Sequence, residues 1–147
     1  MSHGNIVFEG MPPHFEFQNG TFEIFEEGAP PTTVIATDKA WGVRFNWEII
    51  GDLCCLVHGK WTISVYLEEM GVGEFDLKNN EKTIDFLPYP HKYGPIEMKW
   101  AAGDVPAGTY RLVATVGVTA EDGVTPGPFA GFVSGPLLRF FKAPHHA

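Results

Sequence analysis

Between residues 41 and 49 every second side chain is large and apolar: Trp41, Val43, Phe45, Trp47 and Ile49, with Gly42, Arg44, Asn46 and Glu48 between them. A strand, whose side chains alternate between two faces, satisfies that pattern; a helix of 3.6 residues per turn does not. The segment therefore reads as a half-buried strand. The same period returns three times. Trp61, Ile63, Val65 and Leu67 alternate with Thr62, Ser64, Tyr66 and Glu68. Ile96, Met98 and Trp100 alternate with Glu97 and Lys99. Tyr110, Leu112, Ala114 and Val116 alternate with Arg111, Val113, Thr115 and Gly117. The second face of this last segment is only half polar, which suits a central strand or one that touches a partner.

Weaker strands fit residues 6–9, 15–18, 21–26, 32–37, 53–57, 74–77, 82–86, 128–133 and 137–142. Asn19-Gly20 lies between two alternating runs and is the strongest short hairpin signal, because a type I′ turn needs positive φ at both central residues. Lys78-Asn79-Asn80-Glu81 reads as a second turn. No window longer than about ten residues shows helical periodicity with caps. Parallel sheets need long crossovers, usually helical, so antiparallel pairing is expected. Many short strands without helices predict an all-β, antiparallel two-sheet β-sandwich or a barrel, the sandwich being preferred.

The chain has 147 residues, enough for one sizeable core and one domain. An N-terminal β-hairpin extension over 1–30, a core sandwich over 31–143 and a frayed tail over 144–147 are expected. The 17 glycines and 12 prolines fall between apolar runs and punctuate them. Two stretches, 87–95 and 119–127, are richest in Pro and Gly and read as surface loops.

Charge narrows the partners. Ten basic against 18 acidic residues give a net charge of −8, with no run of three basic residues. Such a surface repels nucleic acid and anionic membrane. No basic segment followed by an apolar one opens the chain, and no apolar stretch is long enough for a membrane helix. A cytoplasmic location is expected. The only cysteines, Cys54 and Cys55, are adjacent and point to opposite faces of a strand, which agrees with a reducing compartment.

The segment Asp104-Val105-Pro106-Ala107-Gly108-Thr109-Tyr110-Arg111-Leu112 resembles the corner before a late strand in immunoglobulin-like and fibronectin-type sandwiches. There an Asp-x-Gly-x-Tyr pattern sets a tyrosine corner. Here the Asp stands two residues further from the Gly, and Leu112 occupies the place of a disulfide cysteine. The resemblance implies that Trp47 or Trp61 serves as the core tryptophan. It implies architecture and no activity.

No chemistry-bearing constellation emerges. His3, His14, His58, His91, His145 and His146 show no metal-ligand spacing. Cys54 and Cys55 lie in an apolar run beside His58, which suits inert thiols better than a nucleophile. Ser134 lacks the G-x-S-x-G elbow. Carboxylates cluster at 26–27, at 68–76 and at 121–122 without a calcium-loop pattern, and read as solvated surface. No cofactor is expected.

Aromatics are in surplus: four Trp, four Tyr and 12 Phe. Tyr66, Tyr89, Tyr93, Phe129 and Phe132 fall in loops or on the expected outer face and form the candidate interaction surface. A non-catalytic protein-interaction or assembly module ranks first, with another protein or a second copy as partner. A carbohydrate or small-ligand domain ranks second, marked by two or three coplanar exposed rings. An enzyme ranks third; it needs His58, His91 or an acidic pair converging in a pocket.

Overall fold

The computed structural model describes residues 3–9, 16–50, 59–85, 91–119 and 126–142. Among them are eleven strands and no helix: β1 (His3–Asn5), β2 (Val7–Glu9), β3 (Glu16–Glu26), β4 (Val34–Ala36), β5 (Trp41–Ile50), β6 (Lys60–Glu69), β7 (Gly73–Phe75), β8 (Glu81–Asp85), β9 (His91–Trp100), β10 (Gly108–Thr119) and β11 (Pro126–Phe141). They form two sheets, as the alternation predicts. The smaller runs β1-β3-β5-β9, and the larger runs β2-β11-β10-β6-β7, with β4 on β11 and β8 on β6.

The four best alternating segments are β5, β6, β9 and β10, and the inward parity holds in each. Trp41, Val43, Phe45, Trp47 and Ile49 on β5 are buried, as are Trp61, Ile63, Val65 and Leu67 on β6. Two aromatic groups fill the core. Trp47 stacks on Tyr93 at 5.4 Å and meets Trp61 edge-on at 5.1 Å. Elsewhere in the core Trp41 stacks on Trp100 at 4.6 Å and meets Phe140 edge-on at 5.1 Å. Offset and edge-to-face ring pairs of this kind add stability beyond their buried area. The core is thus held by aromatic layers, with both Trp47 and Trp61 in it.

The corner motif forms. The Tyr110 hydroxyl donates to the Pro106 carbonyl oxygen at 2.8 Å, across four residues of chain. Asp104 does a separate job, accepting the Ala101 amide on Oδ2 at 3.1 Å.

Several expectations fail, for one recurring reason. Asn19-Gly20 is not a hairpin turn; β3 runs through it. Gln18 pairs with Glu48 and Thr21 with Asn46, so two residues, Asn19 and Gly20, oppose the single Trp47. That is a β-bulge, and the pairing of β3 along most of β5 outweighs the local turn preference. The first 30 residues are built into both sheets, with β1 paired antiparallel to β3. β1 edges the smaller sheet, β2 edges the larger, and β3 lies inside the smaller one.

Bulges recur at two more glycines. On β9, Gly94 and the cis-linked Pro95 together oppose Asn46. On β11, Gly135 and Pro136 together oppose Leu112. The two runs expected at 128–133 and 137–142 are therefore one strand. Each added residue reverses the inward parity of the chain beyond it.

β4 departs from the antiparallel rule by pairing parallel to β11, Val34 with Arg139 and Phe141 with Ala36. No helix is needed, because the chain between them passes through both sheets.

The Lys78–Glu81 turn is observed, with Asn79 at φ 50°. The expected strand at 53–57, most of the loop at 119–127 and residues 86–90 lie outside the described residues. Residues 91–95, read as loop, are part of β9.

Candidate interaction surface

The two outward faces differ in how their charges are satisfied. On the smaller sheet Arg44 sits between two carboxylates on neighbouring strands. It donates to Glu23 on β3, and to Glu97 on β9 at 3.2 Å. Burial alone would lower the Arg44 pKa, but the two carboxylates overcome this and hold it above its ordinary value. Its guanidinium also lies 4.6 Å from the centre of the Phe25 ring. Lys92 approaches Glu48 at 3.9 Å on the same face. Arg44 and Lys92 thus pair with opposite charges across strands, while the exposed Lys99 has no carboxylate within 4.0 Å among the described residues.

The larger sheet is different. Among the described residues, every exposed large hydrophobic side chain belongs to it or to its β6–β7 turn: Val34 at 50% exposure, Met70 at 51%, Val72 at 77%, Leu137 at 47% and Phe141 at 37%. The register explains why three of them cluster. Leu138 and Phe140 of β11 point inward and are buried, so Leu137, Arg139 and Phe141 point outward. Val34 on β4 is the register partner of Arg139. Next to β11, Arg111 pairs with Leu137 on one side and with Glu68 of β6 on the other. Neither Arg111 nor Arg139 has a carboxylate within 4.0 Å among the described residues.

The edge of this sheet is closed to strand addition at β4. The Ala36 amide donates to the Glu26 carboxylate at 2.8 Å, and the Val34 amide to the Thr32 hydroxyl at 3.1 Å. Side chains thus occupy donors that an added strand would use.

Of the five aromatics expected at a surface, the structure leaves Tyr66 there. It is half-buried on β6 in register with Val113, itself half-buried. Tyr93 is corrected: it is 6% exposed and packed between Trp47 and Trp61. The bulge at Gly94-Pro95 is the cause, since it carries odd-numbered Tyr93 inward beside even-numbered Met98 and Trp100. Tyr89 lies outside the described residues. The backbone of Phe129 and Phe132 belongs to β11, with Phe132 in register with Thr115, but their side chains lie outside the described ones. Alternation alone singles out none of Val34, Leu137, Arg139 and Phe141. The signal on β11 is the glycine in Ser134-Gly135-Pro136, which marks the bulge that sets the parity of Leu137, Arg139 and Phe141.

The described rings form no exposed coplanar platform for a sugar. Trp41, Trp47, Trp61 and Trp100 are each at most 2% exposed. A shallow cleft of about 250 Å³ opens at the β5–β9 bulge, lined by Asn46, Trp47, Glu48, Lys92, Tyr93 and Gly94. Its two aromatic members are spent on each other. No group of three His, Cys, Asp or Glu side chains suited to a metal occurs among the described residues. The side chains of all six histidines and of Cys54 and Cys55 lie outside them. No helix among the described residues is long and apolar enough to cross a membrane.

No protein-family model matches the chain, and no curated protein matches it. Among solved structures, a CARDB domain from Pyrococcus furiosus, crystallised in complex with di-metal ions, is similar at 14% identity and a TM-score of 0.45, over 90% of this chain and 99% of that one.

Proposed function

We propose that this chain is a non-catalytic protein-interaction module, and that it binds through the outward face of its larger sheet. The observation that carries this reading is the asymmetry of the two faces. On the smaller sheet Arg44 and Lys92 pair with carboxylates, Lys99 has none within 4.0 Å, and no large apolar side chain is exposed among the described residues. The larger sheet holds the exposed apolar side chains Val34, Leu137 and Phe141 beside Arg111 and Arg139, which have no carboxylate within 4.0 Å among the described residues. Apolar anchors with arginine among them are what protein interfaces are enriched in. A face of this kind gains by covering its apolar area.

The test is site-specific photocrosslinking in the native host. A photoreactive benzophenone residue is placed at Leu137 on the proposed face, or at Lys99 on the smaller sheet. The module reading expects a protein adduct from position 137 and none from position 99. No adduct from 137, or equal adducts from both, overturns it.

A further inference from the structure

Three adjoining strands of the larger sheet meet in a strip that carries basic charge and no acid. Residues 34–36 on β4, 108–111 on β10 and 137–142, which close β11, include Arg111, Arg139 and Lys142 and neither Asp nor Glu. The chain as a whole has 18 acidic residues against 10 basic ones, so the strip reverses its sign. Arg139 stands at the centre. Across the strands it faces Val34 on β4 and Thr109 on β10. Along β11 it lies between Leu137 and Phe141, which share its outward face. Val34, Leu137, Arg139 and Phe141 are all exposed. The guanidinium is thus ringed by apolar side chains, and neither of its register partners is a carboxylate. Arg111 is the register partner of Leu137, which makes it the diagonal neighbour of Arg139. Positions so related lie roughly 7–8 Å apart, within reach of long side chains. One anion can therefore meet both guanidiniums. Arg111 has Glu68 on its other flank, yet neither arginine has a carboxylate within 4.0 Å among the described residues.

Resting on the module reading above, we infer that the occupant of this strip is a partner protein segment that presents one acidic side chain between large apolar ones. The carboxylate meets Arg139, whose planar fork takes a carboxylate through two parallel N–H donors, and Arg111 reaches it from the side. The apolar neighbours of that acid cover Val34, Leu137 and Phe141. Covering them expels water from around the charge pair, which strengthens it. A free anion uses the guanidiniums alone and leaves the three apolar side chains in water. A polyacidic tract is disfavoured as well, because the net charge of −8 repels it everywhere outside the strip. The segment lies on the face and does not add as a strand, because the Val34 and Ala36 amides already donate to Thr32 and Glu26.

The test is selection of random short peptides, displayed on phage, against the purified wild-type chain, followed by fluorescence anisotropy with the enriched peptides. Enriched sequences are expected to hold Asp or Glu flanked by large apolar residues. Arg139→Glu is expected to weaken their binding by about tenfold or more, the scale of a central interface arginine. Replacing the peptide's acid with Lys is expected to restore binding to that variant. Lys99→Glu on the other sheet is expected to bind as the wild type does, and neither oligoglutamate nor acetate to compete. Near-ultraviolet dichroism of the buried tryptophans verifies that each variant is folded. The inference is overturned by a selection that enriches nothing, by one that enriches neutral or basic peptides, and by peptides that bind Arg139→Glu unchanged. Full competition by oligoglutamate overturns it too. If any of these occurs while position 137 still crosslinks to a protein in the host, the acidic partner alone is lost. No adduct at 137 removes the module reading with it.

Discussion

The Glu26 carboxylate accepts the backbone amide of Ala36 at 2.8 Å, so a side chain from β3 seals the edge of a strand in the opposite sheet. The contact bridges the two sheets and occupies an amide that β4 would otherwise present to another chain.

Removing that acceptor should act twice. Glu26→Ala leaves a nearly buried amide unsatisfied, for a loss of about 1–3 kcal/mol. It also opens the edge, so turbidity at 37 °C should rise faster than for the wild type. Glu26→Gln keeps an acceptor and should recover most of both losses. Urea unfolding and light scattering read the two effects separately.

The tyrosine corner predicts a comparable loss. Tyr110→Phe keeps the ring against Phe75 and Phe140 but removes the hydroxyl that donates to Pro106. Stability should fall by about 1–2 kcal/mol, measured as a lower urea midpoint with an unchanged slope.

The same hydroxyl sets an alkaline limit. Burial first, and the charge of Glu69 second, raise the Tyr110 pKa above its ordinary value. An unfolded tyrosine ionises near about pH 10, before the folded one does. The contribution is therefore fully present below that pH and is lost as pH rises through the folded value. The stability difference between wild type and Tyr110→Phe should be level from pH 7 to 9 and shrink above about pH 10. Level differences through pH 11 would contradict it.

The β9 bulge depends on glycine at its centre. Gly94 has φ 121°, and a Cβ there would stand 2.5 Å from Asn46 Oδ1 and 2.7 Å from the Phe45 carbonyl oxygen. Gly94→Ala combines a disfavoured backbone with a clash against backbone atoms, and should lose about 2 kcal/mol or more. If the bulge shifts in response, Tyr93 leaves its place between Trp47 and Trp61, and tryptophan fluorescence should move to longer wavelength.

Much of the fold is legible in the residue pattern alone. Trp41 through Ile49 and Trp61 through Leu67 announce their faces because side-chain period is a property of the strand itself. Tyr110 announces its corner because the hydroxyl reaches only four residues back. Asn19-Gly20 misleads because its turn preference is local, whereas the bulge is stabilised by β5, far away in sequence. Tyr93 misleads because one extra residue, at Gly94-Pro95, reverses every face before it.

By itself the sequence determined where the four best strands lie, that the chain is all-β around an aromatic core, and that the chain turns at Tyr110. Those follow from alternation and short-range reach. Only the tertiary structure decided the register: where the bulges fall, that β4 runs parallel to β11, and that Arg44 is spent on Glu23 and Glu97 while Arg139 faces outward beside Leu137 and Phe141. Register is set by pairing between distant strands, and a shift of one residue exchanges inside for outside. The candidate surface therefore belongs to the fold and not to any motif.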